Sequence, residues 1–271
     1  ELQNFTSTES RRIWAKRILD CQDESGWFSK KNFRGHAKEH ASAYAIGALK
    51  LLAKVDDQLF LDDVRPIKGL RPIAECNSNF KQWINRLGFE PSIKDLPGSI
   101  GWNYIWRGSH IGGGVPAIFA MLQFQIEKKW NWNWNATTWF SSLFKWLNNE
   151  INPETGYWQR AIWNQIISKP ILNDMAGAVH FYWIYSYMNE PFPILKNLIR
   201  STINLQRTNG LYKNHPFCID LDGNYQIIHP FNQLNIKDRR MLKDHVKDSL
   251  ENNYSAILKM FIDNNLNEIY R

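Results

Sequence analysis

Apolar residues recur at three- and four-residue spacing along almost the whole chain, while runs alternating polar and apolar residues are scarce. The first pattern places one apolar stripe on a helix and the second would place one on a strand, so an all-α fold is expected. The helical segments fall into two kinds. Residues 9–21, 78–88, 137–150, 192–206 and 241–263 are amphipathic, whereas 36–54, 114–126, 174–188 and 222–230 are apolar on most faces. A plain bundle makes its helices similarly amphipathic; a ring of helical hairpins wets its outer helices on one side and buries its inner ones. One domain is expected over residues 1–271, and the ring is incomplete by this count, because the last amphipathic helix has no buried partner.

Individual segments carry further signals. TSTESRRIWAKRILD begins with capping residues and has Glu9 at a capping-box position. HAKEHASAYAIGALKLLAK reads as a helix buried nearly all round. In HIGGGVPAIFAMLQF the three glycines and Pro116 predict helix only in the later part. PFPILKNLIRSTINLQ places Pro in its first turn, where the missing N–H is harmless. The 13 Trp exceed ordinary usage, and WNWNWN (130–135) reads as packing between helices more readily than as a surface platform for sugars.

No apolar run is long enough to cross a bilayer, and the first residues lack the apolar core of a signal peptide, so a soluble, cytoplasmic protein is expected. The net charge of +7 suits an anionic small-molecule or glycan substrate. The basic residues are scattered rather than striped, which argues against a nucleic-acid partner. Cys21, Cys76 and Cys218 are an odd number without metal-site spacing and read as buried reduced thiols.

Three amphipathic helices end alike. ILDCQDESGWF contains Gln22, Gly26 and Trp27; WLNNEINPETGYW contains Asn152, Gly156 and Trp158; INLQRTNGLY contains Gln206, Gly210 and Tyr212. The amide side chain precedes Gly by four positions each time, and an aromatic follows within two. An amide can bond backbone groups orphaned at a helix end, Gly supplies a positive φ for a sharp exit, and the aromatic fastens the loop to the core. The glycines stand 130 and 54 positions apart, which fits imperfect repeats of about 55–65 residues with one copy lacking the motif.

These motifs resemble the QW-type repeat of the α/α-toroid superfamily, which contains terpenoid cyclases, squalene-hopene cyclases and protein prenyltransferase β subunits. The resemblance implies an (α/α) toroid and an elongated substrate held in a central aromatic cavity, with lyase, isomerase or transferase chemistry. Related rings of helices carry polysaccharide lyases, glycosidases and sugar epimerases, so a carbohydrate-active enzyme is the alternative. A non-catalytic binding domain on the same scaffold is the third reading.

In such a ring the starts of the inner helices meet at one mouth. Residues placed there are His36, Glu39 and His40; Trp102, Tyr104, Trp106, Arg107 and His110; Asp174; and Asp220 and Asp222, with Arg34 nearby. His40, His110, Asp174, Asp220 and Asp222 are the expected acid–base groups, and the others the expected substrate contacts. Asp174 and Asp222 also suit helix caps. The sequence DLDG (220–223) resembles the Asp-x-Asp-Asp of class II terpene cyclases, which makes Asp222 the proton donor and Asp220 its support, with Gly223 in place of the family's last Asp. No cofactor is expected. Zinc enters only through the prenyltransferase resemblance, for which Cys218, Asp220 and His180 supply the residue types but not the arrangement. His36 and His40 share a helix face without an HExxH motif, and His180 reads as a core histidine.

Overall fold

The computed structural model describes residues 7–28, 37–53, 60–87, 103–158, 169–214, 216 and 218–262, with side chains described throughout except at 85–87 and 103–107. Its elements are helices: α1 (Thr8–Leu19), α2 (Lys38–Leu52), α3 (Arg71–Glu75), α4 (Asn77–Leu87), α5 (Asn103–Met121), α6 (Ala136–Glu150), α7 (Leu172–Tyr187), α8 (Leu195–Leu205), α9 (Cys218–Gln233) and α10 (Ile236–Ile262). No strand forms among the described residues; one isolated antiparallel bridge joins Gln22 and Phe28. The chain is all-α. It divides into two compact units, one of residues 1–90 and 107–146 and the other of residues 91–106 and 147–271. No described helix is long and apolar enough to cross a membrane.

In the first unit Ser7 caps α1, its Oγ accepting from the Ser10 N–H at 3.1 Å. The cap therefore sits one residue later than a capping box through Glu9 requires, and Ser10 takes the third helical position. The α2 helix is packed on one stripe only: His40, Ser42, Ile46 and Leu49 are buried, while Tyr44 and Leu51 are about two-thirds exposed (68% and 66%). Its many alanines made it look apolar all round, but they cover little area. By contrast α5 is helical from Asn103, through its glycines and past Pro116. Close packing explains why: a Cβ on Gly114 would fall 2.6 Å from the Glu39 carbonyl carbon, so α2 and α5 meet backbone to backbone. Trp132, Trp134 and Trp139 are buried, with Phe119 5.4 Å from Trp134 and 4.7 Å from Trp139, so two tryptophans of the Trp–Asn alternation are core, while Trp130 is half-buried and the asparagines are exposed. Trp139 Nε1 donates to the Ile73 carbonyl at 3.1 Å.

In the second unit the core joins α8, α9 and α10 through Ile199, Ile227, Leu234, Leu242 and Val246. The prolines at 191 and 193 lie outside α8, which starts at Leu195. The thiols are free as expected but not buried: Cys21 and Cys218 are exposed and Cys76 is half-buried.

The three helix-exit motifs all hold glycine at positive φ: +91° at Gly26, +76° at Gly156 and +85° at Gly210. In the first, Gln22 Nε2 donates to the Gly26 carbonyl (2.7 Å) and the Arg65 carbonyl (2.8 Å), and its Oε1 accepts from the Arg65 N–H (2.9 Å). The third repeats this. Gln206 Nε2 donates to the Gly210 carbonyl (2.8 Å) and the Ser249 carbonyl (2.9 Å), and Oε1 accepts from Ser249 Oγ (2.9 Å). One amide thus ties a loop to a distant segment at both places.

The middle motif is built differently despite its equal spacing. The Asn152 N–H donates to the Tyr157 carbonyl, as the Asp23 N–H does to Trp27 and the Arg207 N–H to Leu211. Asn152 therefore matches the residue after each glutamine, and the loop carries one extra residue. The Gly156 carbonyl receives its bond from Tyr182 Oη at 2.6 Å, and Asn152 Oδ1 accepts from the Glu154 N–H at 2.8 Å. Gln206→Leu is accordingly expected to lower unfolding free energy by about 2–3 kcal/mol, read by urea denaturation.

Candidate functional site

The residues expected at the site divide between the two units. In the first, His40 and His110 are buried and adjacent, their ring centroids 4.1 Å apart and tilted by 48°. Glu39 is half-buried, and burial raises its carboxyl above the usual range. His36, Arg34 and Trp102 lie outside the described residues; Tyr104, Trp106 and Arg107 lie on α5 at positions whose side chains are not described.

In the second unit the carboxylates take unlike roles. Asp174 is buried in the first turn of α7, and its Oδ2 accepts from the Ile171 N–H at 2.8 Å, which is the capping role its position suggested. Asp220 is also buried. Its Oδ1 accepts from the Tyr212 N–H at 3.2 Å and from Asn253 Nδ2 at 2.9 Å, joining the third exit motif to α9 and α10. Asp222, one turn position further round α9, is half-buried. Among the described residues no hydrogen-bond donor or cation reaches its carboxyl group. Burial, and then the Asp220 carboxylate, push its pKa up to about 7.

Gly223 has a steric reason to be glycine. A Cβ there would fall 2.4 Å from the Tyr212 ring, so the aromatic of the third motif occupies the space a third acid would need. Gln226 Nε2 donates to the Met175 carbonyl (2.8 Å) and the Asp222 carbonyl (3.1 Å), holding the first turns of α7 and α9 together.

Sequence reasoning missed the residues that share the Asp222 face. Positions 222, 225 and 229 line one side of α9. The Tyr225 and His229 rings stack at 4.0 Å. Ser186 of α7 meets both, its Oγ 3.4 Å from His229 Nδ1 and hydrogen-bonded to the Tyr225 side chain. Burial lowers the His229 pKa and raises that of Tyr225, so both are neutral near pH 7. On α7, which also carries Ser186, Trp183 and Tyr187 are half-buried and stacked on each other at 5.1 Å. The available signal was polar residues at i, i+3 and i+7 within an otherwise apolar helix. The set can donate a proton from Asp222, relay one through Tyr225, Ser186 and His229, and face a cationic or sugar group with aromatic rings.

The zinc set suggested by the prenyltransferase resemblance is not assembled among the described residues: Asp220 is engaged with Tyr212 and Asn253, and Cys218, Asp220 and His180 form no ligand cluster. Compared with known family models, curated proteins and solved structures, the chain matches none.

Proposed function

We propose that the chain is an acid-catalysing enzyme of the terpenoid cyclase and prenyltransferase type, built as a toroid of helical hairpins, and that Asp222 is its proton donor. The observation that carries this reading is the contrast between two neighbouring carboxyl groups. Asp220 is buried and bonded to Tyr212 and Asn253, whereas Asp222 is half-buried, has no donor among the described residues, and carries a pKa pushed up to about 7. A carboxylic acid kept protonated near neutrality, beside a fixed negative charge and without a competing hydrogen bond, is what protonation of an unreactive carbon–carbon double bond or epoxide demands. Its O–H proton passes to the substrate carbon or oxygen, and positive charge develops on the substrate. Tyr225, three positions from Asp222 on the same side of α9, offers an aromatic ring to that charge. An elongated apolar substrate with an alkene or epoxide terminus suits this chemistry.

The test is an assay of the purified chain on a linear polyprene, its terminal epoxide and an acidic oligosaccharide, with products identified by mass spectrometry. Cyclised polyprene is expected. Because the acid form is active, kcat/KM should be flat below about pH 7 and fall about tenfold per pH unit above it. Cleavage of the oligosaccharide alone, or a rate that rises through pH 7, would overturn the proposal.

A further inference from the structure

We propose that His40 and His110 form a binding site for a divalent transition-metal cation of the zinc class, separate in chemistry from the Asp222 centre. The two imidazoles come from helices far apart in sequence and meet because of Gly114. A side chain there would collide with the backbone of Glu39 and His40, its Cβ 2.6 Å from one carbonyl carbon and 2.8 Å from the His40 nitrogen. His110 precedes Gly114 by one helical turn on the same face, so the contact that only glycine permits brings the His110 ring onto His40. Ring centroids stand 4.1 Å apart, and the potential ligand nitrogens lie within 4.8 Å of each other. Two imidazoles on one tetrahedral zinc have nitrogens about 3.3 Å apart, from bonds of about 2.0–2.1 Å, so a small ring rotation closes the difference.

Packing holds the pair in place. His40 and His110 are 7% and 3% exposed, and the Tyr44 ring lies 4.6 Å from the His40 ring on its other side. Tyr44 itself is largely exposed. A cation held by two imidazoles retains coordination positions for water or an anionic ligand. The sequence pairs His40 with His36, four residues before it; the structure pairs it with His110.

The experiment uses the full, tag-free chain, stripped with a chelator and titrated with Co2+ and then Zn2+ by calorimetry and visible absorption. One saturable site per chain is expected, with a cobalt d–d spectrum that zinc abolishes. His40→Asn and His110→Asn should each weaken zinc binding by at least about 30-fold, and His245→Asn, on the exposed face of α10, should leave it unchanged. Should the buried variants fail to fold, long-range imidazole 15N spectra of the unmodified chain decide the matter: zinc at one equivalent must move two histidine rings. Absence of a saturable site, an imidazole spectrum that zinc leaves unchanged, or full affinity in both folded variants would overturn the proposal.

Discussion

Gly26→Ala and Gly210→Ala are each expected to lower unfolding free energy by about 3–5 kcal/mol, which would leave little of an ordinary domain's stability. Two costs combine. Both glycines sit at positive φ, +91° and +85°, where an L side chain is strained by about 1–2 kcal/mol. Each also faces rigid backbone: the new Cβ would lie 2.2 Å from the Pro66 carbonyl oxygen at position 26 and 2.4 Å from the Asn252 carbonyl oxygen at position 210. Backbone cannot rotate aside as a side chain can, so the loop must move and break the bonds from Gln22 or Gln206 that hold it. Gly47→Ala is the control. Gly47 lies inside α2, and its Cβ would meet only Met121 Sδ at 3.6 Å, so a gain of about 0.5–1 kcal/mol from helix propensity is expected. Urea denaturation of the three variants measures all of this. Equal effects at 26, 47 and 210 would mean that the exit loops are not the fasteners their bonding indicates.

The helices were legible where periodicity and burial agree. In α6 and α8 the apolar spacing fixes both the helix and its packed face, because large side chains repeat every three or four positions. In α5 the local signal points the wrong way, since glycine and proline are poor helix formers. The contact of Gly114 with Glu39 and His40 overrides that preference and is invisible without the partner helix. Equal spacing also misleads: Asn152 and Gln22 both precede glycine by four, yet one extra loop residue gives Asn152 a different backbone partner. Asp220 and Asp222 were legible as a pair, but their division of labour was not. It depends on Asn253, 33 residues on, and on the Tyr212 N–H. Tyr225 and His229 escaped notice because polar residues on a largely apolar helix look like scattered core histidines and tyrosines until Ser186 is seen to join them.

Asp222→Asn should reduce kcat/KM by about 10²–10⁴-fold, the usual range for losing a general acid, because the amide keeps the shape and removes the transferable proton. Its effect on stability separates catalysis from structure. Burial and the Asp220 carboxylate raise the native pKa of Asp222 from the ordinary 3.8 to about 7. Between those values the native chain binds more protons at this site than the unfolded chain, so the site's contribution to stability is full below about pH 4 and is lost as pH rises to about 7. At pH 8 the wild type therefore carries an ionised, half-buried carboxylate beside a second one, and asparagine relieves it. The variant should melt at a higher temperature than the wild type at pH 8, with the difference shrinking toward pH 5. A variant that melts well below the wild type at both pH values would show that Asp222 holds the helix together, and loss of turnover could then no longer be read as loss of the acid. A Asp220→Asn variant should behave oppositely, since its oxygen accepts from both Tyr212 and Asn253 and the amide can misdirect a donor at either.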